Sequence, residues 1–488
     1  MSVRNQAVAG VKWNSFEMAL RVIVQFITLA ILARLLSPAD FGLLAMVTVI
    51  TGFATAFANF GLSSAIIYRQ DATREQLSSL YWLSIAAGWI VFIAILIATP
   101  FIERYYNEPD LAPILFGVSV TFLIIPLGQQ FQDILRRKLR FNTLALVNIA
   151  QNMAYAVVAI TLAFADFGVM SLVWATIARA STGAVLLLIV AARNHWLPSL
   201  HFRRSDLDGF VQFGLFQMGE RAINYLSANV DYLIIGRFLG AEQLGFYTLA
   251  FNLMRVPLSY INPIIVNVAF PAFARFQHQN DVLRRGYIKV LQFLSVIIFP
   301  LMAGMFVVAP LFIPVVYGDN WMPAVPIVQI FCLLGVVKSL GNPIGSLLLA
   351  KGRPDLGFYM NIIAVIGLAG SNLLGVRWGI TGVAFSTLIF TLFVLLPIDF
   401  YLRWRVINMN LLQFWAAVRE PAIAAVVLVI VTEALHTLTN GKLPNVVELI
   451  LLTVTGALAY LISIWLIDRQ LIIEVWGYLR PKPIGANS

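Results

Sequence analysis

Eight ionisable residues stand inside stretches that are otherwise apolar: Arg21, Arg179, Arg221, Arg255 and Lys338, against Glu17, Glu220 and Asp231. A charge at the centre of a bilayer costs about 2.5–3.5 kcal/mol even on a lenient insertion scale, so such residues face a watery cavity or one another. Five cations against three carboxylates leave positive charge in excess. Guanidinium is permanently charged and grips phosphate through paired N–H donors, so the chemistry on offer is recognition of a polar anion. Arg21 and Arg255 are the foremost expected contacts, with Arg221 beside them; Arg179 and Lys338 have stems long enough to snorkel to the membrane surface instead. Glu17 and Arg21 are four residues apart and share a helical face. Buried pairs that merely lock helices together are the alternative for each residue, yet three carboxylates do not absorb five cations. Glu17, Glu220 and Asp231 are expected to change protonation or bind a cation, H+ or Na+, and so to bias a transport cycle. Asn59, Asn262, Gln129, Gln130 and Asn148 are candidate sugar contacts, with interhelical hydrogen bonding as the competing role.

The elements that hold these side chains follow from composition. With 60% hydrophobic and 11% charged residues, the 488-residue chain lies far from soluble usage and reads as an all-α integral membrane protein. Stretches of about 20 apolar residues place fourteen transmembrane helices: 12–36, 41–63, 80–101, 111–131, 143–165, 168–192, 211–236, 245–272, 287–312, 323–347, 357–376, 379–402, 420–438 and 446–467. Alternate connections hold 23 Lys and Arg on one side and 5 on the other, which sets both termini in the cytoplasm. The N-terminus lacks a cleavable signal pattern and is expected to be retained as the first span. The net charge of +10 belongs to these loops, so no nucleic-acid partner is expected. The single cysteine, Cys332, lies in an apolar run and is expected to be a small core residue. His195, His201, His278 and His436 lack metal-ligand spacing, and no loop is long enough for an enzyme's pocket, so neither a catalytic residue nor a metal or other cofactor is expected. The stretch 403–420 alternates Trp404, Leu411, Phe414, Trp415 and Val418 with polar residues, as for a helix lying in the cytoplasmic interface.

A short pattern organises the spans. Residues 34–42 read RLLSPADFG and residues 237–245 read RFLGAEQLG, each with glycine eight positions after arginine. Ser37 suits a helix N-cap, Pro38 the first turn and Asp40 the acidic place three after the cap, so the stretch reads as a hairpin between two spans. One copy joins spans 1 and 2, the other spans 7 and 8. The chain is therefore two six-helix bundles, 1–200 and 201–405, followed by 406–488 with the interfacial helix, spans 13 and 14 and a cytoplasmic tail. An even number of spans per half relates the halves by an axis along the membrane normal and leaves a central cleft.

The pattern RLLSPADFGLLAMV after a first span with Glu and Arg, the later NFGLSSAIIYR, and the two-half layout resemble the polysaccharide-transporter family of the multidrug/oligosaccharidyl-lipid/polysaccharide exporter superfamily, within it the colanic-acid or exopolysaccharide type. The resemblance implies a bacterial inner-membrane flippase that moves an undecaprenyl-diphosphate-linked oligosaccharide repeat unit by alternating access. It implies arginines in a central cavity for the diphosphate, a role that falls by span to Arg21 and Arg255, and the two appended helices as a groove for the lipid tail. Its competitors are a drug/cation antiporter of the same superfamily, which calls for an anionic cleft, a glycan polymerase or ligase, which calls for a large outer loop, and a structural assembly scaffold, which leaves the buried arginines unexplained.

Overall fold

The computed structural model describes residues 3–58, 73–207 and 211–469, so NFGLSSAIIYR and Asn59 lie outside the described residues. Among the described residues all regular structure is helical. In hydrocarbon no water satisfies backbone N–H and C=O groups, and the helix satisfies them within one segment. Two compact units emerge, Met1–Gly245 and Phe246–Ser488.

The first unit holds α1 (Val3–Leu35), α2 (Pro38–Ala58), α3 (Arg74–Tyr106), α4 (Leu111–Ser119), α5 (Thr121–Arg137), α6 (Phe141–Phe164), α7 (Val169–Arg193), α8 (Val211–Ala228) and the start of α9 (Val230–Arg275). Its helices pack through small residues: Ala159 and Ala163 of α6 and Ala175 of α7 are buried around Leu32 of α1 and Leu36 just beyond its end. A second cluster joins Tyr81 of α3, Phe131 and Leu135 of α5, Leu144 of α6 and Leu187 of α7. Small residues let backbones approach closely where lipid offers no hydrophobic drive between helices.

The second unit holds the rest of α9, α10 (Asn280–Tyr317), α11 (Val325–Gly341), α12 (Pro343–Ala350), α13 (Pro354–Gly375), α14 (Gly379–Phe390), α15 (Leu396–Ile407), α16 (Leu411–Thr439) and α17 (Asn445–Ile467). A π-helical turn, Thr391–Leu395, joins α14 to α15 just ahead of Pro397, whose missing N–H breaks the regular ladder.

Eleven stretches among the described residues are long and apolar enough to cross a membrane, against fourteen expected. Expected spans 11 and 12 share the 54-residue stretch Pro354–Ile407. Expected spans 7 and 8 fall on α8 and α9, which are not among the eleven.

The repeated pattern folds as hairpins. Ser37 and Asp40 exchange bonds: Asp40 Oδ2 accepts from the Ser37 N–H at 2.8 Å and from Ser37 Oγ at 2.7 Å, and the Asp40 N–H reaches Ser37 Oγ at 3.3 Å. In the second copy Gly240 takes φ 82° and ψ −179°, a conformation L side chains rarely adopt, and turns the chain within α9. Capping does not exhaust the pattern. A Cβ on Gly42 would overlap the carbonyl oxygen of Ala241, and one on Gly245 that of Pro38. Each copy's final glycine thus seats the other copy's turn.

The stretch read as a separate interfacial helix is not one. Asn410 caps α16 through a reciprocal pair, Gln413 N–H to Asn410 Oδ1 at 2.8 Å and Asn410 N–H to Gln413 Oε1 at 3.1 Å, and the helix continues without a break to Thr439. Its first turns bury Phe414 and Val418 and expose Leu411, Leu412 and Trp415. The alternation marks a helix end with one packed face.

Candidate functional site

On α1, Glu17 and Arg21 face each other one turn apart, with Arg21 Nε 3.8 Å from Glu17 Oε1. That separation is too long for a hydrogen bond. Glu17 is 7% exposed, whereas the Arg21 side chain keeps 39% of its surface open. The carboxylate orients the guanidinium and leaves most of its donors available. Arg21 borders a shallow groove with Asn152 of α6, where α1 lies against that helix.

Arg179 stands on α7, within electrostatic range of both Arg21 and the hydroxyl of Tyr155. Two permanent cations this close repel unless an anion or a high-dielectric medium lies between them. Arg179 also lines a cavity of about 220 Å³ with Gln129 and Gln132 of α5, Gln151 of α6 and Thr176 of α7. Gly183 makes room for the Gln151 amide, which a Cβ there would overlap. Gly128 performs the same service toward Ala184 and Leu187, each 3.1 Å from where its Cβ would be. The wall is therefore amide-rich and neutral except for one guanidinium, a set of donors and acceptors suited to sugar hydroxyls around an anion.

The other expected residues are dispersed. Arg221 is exposed on α8. The side chain of Glu220 lies outside the described residues. Asp231 sits in the first turn of α9, where its Oδ1 accepts the Tyr232 N–H at 3.0 Å, a place that favours a carboxylate through the helix dipole. In the second unit, α11 crosses α9 where Gly335 meets Met254, beside Arg255 and one turn from Lys338. Arg255 is exposed, and the Lys338 ammonium lies 5.8 Å from the Phe251 ring centre. Of the sugar candidates, Gln129 lines the cavity. Gln130 donates to the Leu77 carbonyl at 2.8 Å, and the Asn148 carbonyl accepts from Asn152 at 2.8 Å.

Sequence reasoning missed two buried polar clusters. Arg403, counted among the loop cations, is 1% exposed: it donates to Tyr287 Oη at 3.0 Å and the Leu340 carbonyl at 2.8 Å, and lies 3.3 Å from Asp399. The rings of Phe400 and Phe414 close over it, with centres at 5.4 and 5.1 Å. Its spacing of four from Asp399 was the available signal, and the nearby span end hid it. In the hairpin of α16 and α17, Glu448 is 1% exposed and bonded to His436 Nδ1 at 2.9 Å and Thr439 Oγ1 at 2.8 Å. Only the fold brings these together.

Residues 31–326 match the family described as polysaccharide biosynthesis protein. Over 468 residues the chain is 33% identical to the teichuronic acid biosynthesis protein TuaB of Bacillus subtilis (strain 168), covering 94% of this chain and 95% of that one. The chain belongs to the polysaccharide biosynthesis protein family. The resemblance read from the sequence is thereby borne out. It is also 31% identical over 485 residues to the lipopolysaccharide biosynthesis protein WzxC of Escherichia coli (strain K12), covering 97% of this chain and 96% of that one. Its fold is that of the lipid II flippase MurJ in its inward closed conformation, at a TM-score of 0.74 and 14% identity over 95% of this chain and 100% of the other. This family member is a multi-pass membrane protein.

Proposed function

We propose that this protein carries an anionic lipid-linked oligosaccharide, an undecaprenyl-diphosphate-linked repeat unit, across the bacterial inner membrane by alternating access, with both termini cytoplasmic. The observation that carries the reading is the Arg179 guanidinium on the wall of an amide-lined cavity, with the open Arg21 side chain held beside Glu17 on α1. A sugar diphosphate in bare hydrocarbon faces a desolvation cost of tens of kcal/mol for an isolated ion. Two guanidinium groups supply fixed charge for the diphosphate, and Gln129, Gln132 and Gln151 replace water around sugar hydroxyls. Arg255, Arg221 and Lys338 serve the same anion elsewhere along its route.

Glu17 is the coupling group in this reading. Buried one turn from Arg21, it releases the guanidinium to substrate when it takes up a proton or a cation such as Na+, and draws it back on release. Glu220 and Asp231 are the further candidates. The protein performs translocation without bond chemistry. A cationic site opposes the drug/cation antiporter alternative, whose substrates it would repel, and short loops oppose the polymerase or ligase alternative.

The test is translocation of fluorescent lipid-linked oligosaccharide into vesicles holding purified protein. Arg179→Ala and Arg21→Ala should each lower the rate about 10- to 100-fold, the loss of roughly 1.5–3 kcal/mol expected for a charged hydrogen bond. Lys at either position should restore part of it. Full activity in both Ala variants at equal protein level removes the site.

A further inference from the structure

We propose that the first unit carries a second anion site, separate from the Arg21–Arg179 region: an interfacial pocket that holds the headgroup of a phospholipid bearing an anionic phosphodiester and free hydroxyls. The cavity measures about 450 Å³ and is lined by Arg74 at the start of α3, Gln130, Arg137 and Lys138 at the end of α5, and His195 and Trp196 beyond α7. No carboxylate is among its described lining residues. Three permanent or near-permanent cations on one wall set describe a phosphate receptor.

The pocket is built, not a chance gathering of loop charges. The connection after α7 is pinned to α3: Trp82 Nε1 donates to the Ser199 carbonyl at 2.9 Å, the Ser199 N–H to Ser78 Oγ at 3.1 Å, and the Arg203 N–H to Ser79 Oγ at 3.1 Å. Arg74 Nη2 reaches the Leu197 carbonyl at 3.4 Å, and the Lys138 ammonium stands 4.3 Å from the Trp196 ring centre. Leu139 and His195, which flank these walls, hold φ of 54° and 56°, the left-handed region that favours glycine. Such conformations gather at ligand clamps.

Two features select the ligand. Gln130 brings a buried amide to the lining beside the cations, and a phosphodiester with hydroxyls beyond it matches amide and charge together. The connections that supply the walls are apolar outside: Leu197 of the lining is exposed, as are Leu139 next to Lys138 and Phe202, and Leu200 is 94% exposed, although all four belong to connections and not to spans. Exposed apolar side chains around a cationic mouth fit a headgroup whose acyl chains stay in the bilayer, and a soluble phosphate would leave them in water. The loops concerned lie on the cation-rich side, which the positive-inside rule assigns to the cytoplasm.

The test is native mass spectrometry of the full-length protein released from detergent with phosphatidylglycerol, with phosphatidylcholine or with soluble glycerol 1-phosphate. The expected result is retained phosphatidylglycerol, little phosphatidylcholine, and weak displacement by glycerol 1-phosphate. Arg137→Gln with Lys138→Gln should weaken retention about 30-fold, at about fivefold for each cation near a membrane surface. Arg284→Gln with Arg285→Gln, an equal loss of charge at the start of α10 on the cation-rich side, should not. Arg137→Lys with Lys138→Arg keeps the charge and should retain the lipid, which separates loss of binding from loss of fold. Equal retention in the two Gln pairs overturns the site, and glycerol 1-phosphate displacing the lipid at equal concentration overturns the assignment to a lipid.

Discussion

Arg403 shows how much a single side chain depends on its partners in this protein. Its guanidinium has left water and bonds to Tyr287, Leu340 and Asp399 beneath aromatic rings. Arg403→Leu would strand the Asp399 carboxylate, and breaking one side of a buried pair costs about 3–5 kcal/mol. Thermal melting in detergent should show a marked fall for Arg403→Leu and recovery of most of it when Asp399→Leu is added, since removing both charges removes the desolvation cost as well. The contrast with Arg21 is instructive. There the carboxylate is 3.8 Å away and the guanidinium remains open, so a pairing read from the same spacing of four leaves a residue available for ligand. Residue types and spacing singled out Glu17 with Arg21, whose interval of four is the 3.8 Å contact, and passed over the buried Arg403. They did not reveal that Arg179 would stand within range of Arg21, because this depends on how α1, α6 and α7 pack.

At the level of helices and connections, the linker between the two sequence halves turns out to be a docked element. Asp206 accepts from Ser79 Oγ at 2.7 Å and from His201 Nε2 at 2.9 Å, and these bonds, the Ser79 hydroxyl first, hold its carboxyl below the ordinary value of 3.8. A depressed folded value means that Asp206 supports docking fully above that ordinary value and loses its contribution as pH falls through the lower one. Hydrogen-exchange protection factors of residues 199–207, which remove the intrinsic pH dependence of exchange, should be flat from about pH 6 to about pH 4 on this account and fall below, with Asp206→Asn removing the acid limb. Helix positions were largely legible from apolar runs, since a bilayer fixes how long such a run must be. Where legibility failed, the cause was local. The alternation over 403–420 arose from a capped helix end with Phe414 and Val418 packed inward.

For the whole chain, the sequence assigned a class, a family likeness and an orientation, and the first two agree with the fold and the relatives. Orientation is open to direct measurement, helped by Cys332 being the sole cysteine and buried. Single cysteines at Lys442 and at Leu139 should react with membrane-impermeant maleimide from opposite faces, Lys442→Cys in intact spheroplasts and Leu139→Cys only after lysis. The reverse pattern would invert the molecule. A different constraint acts on the paired turns, where Gly42 lies under Ala241 and Gly245 under Pro38. Because each glycine is the footing for its counterpart's carbonyl, lengthening either loop by one residue would misalign both contacts together. The eight-residue interval is thus a shared dimension of two distant segments, and any change that survives in one must be met by a matching change in the other.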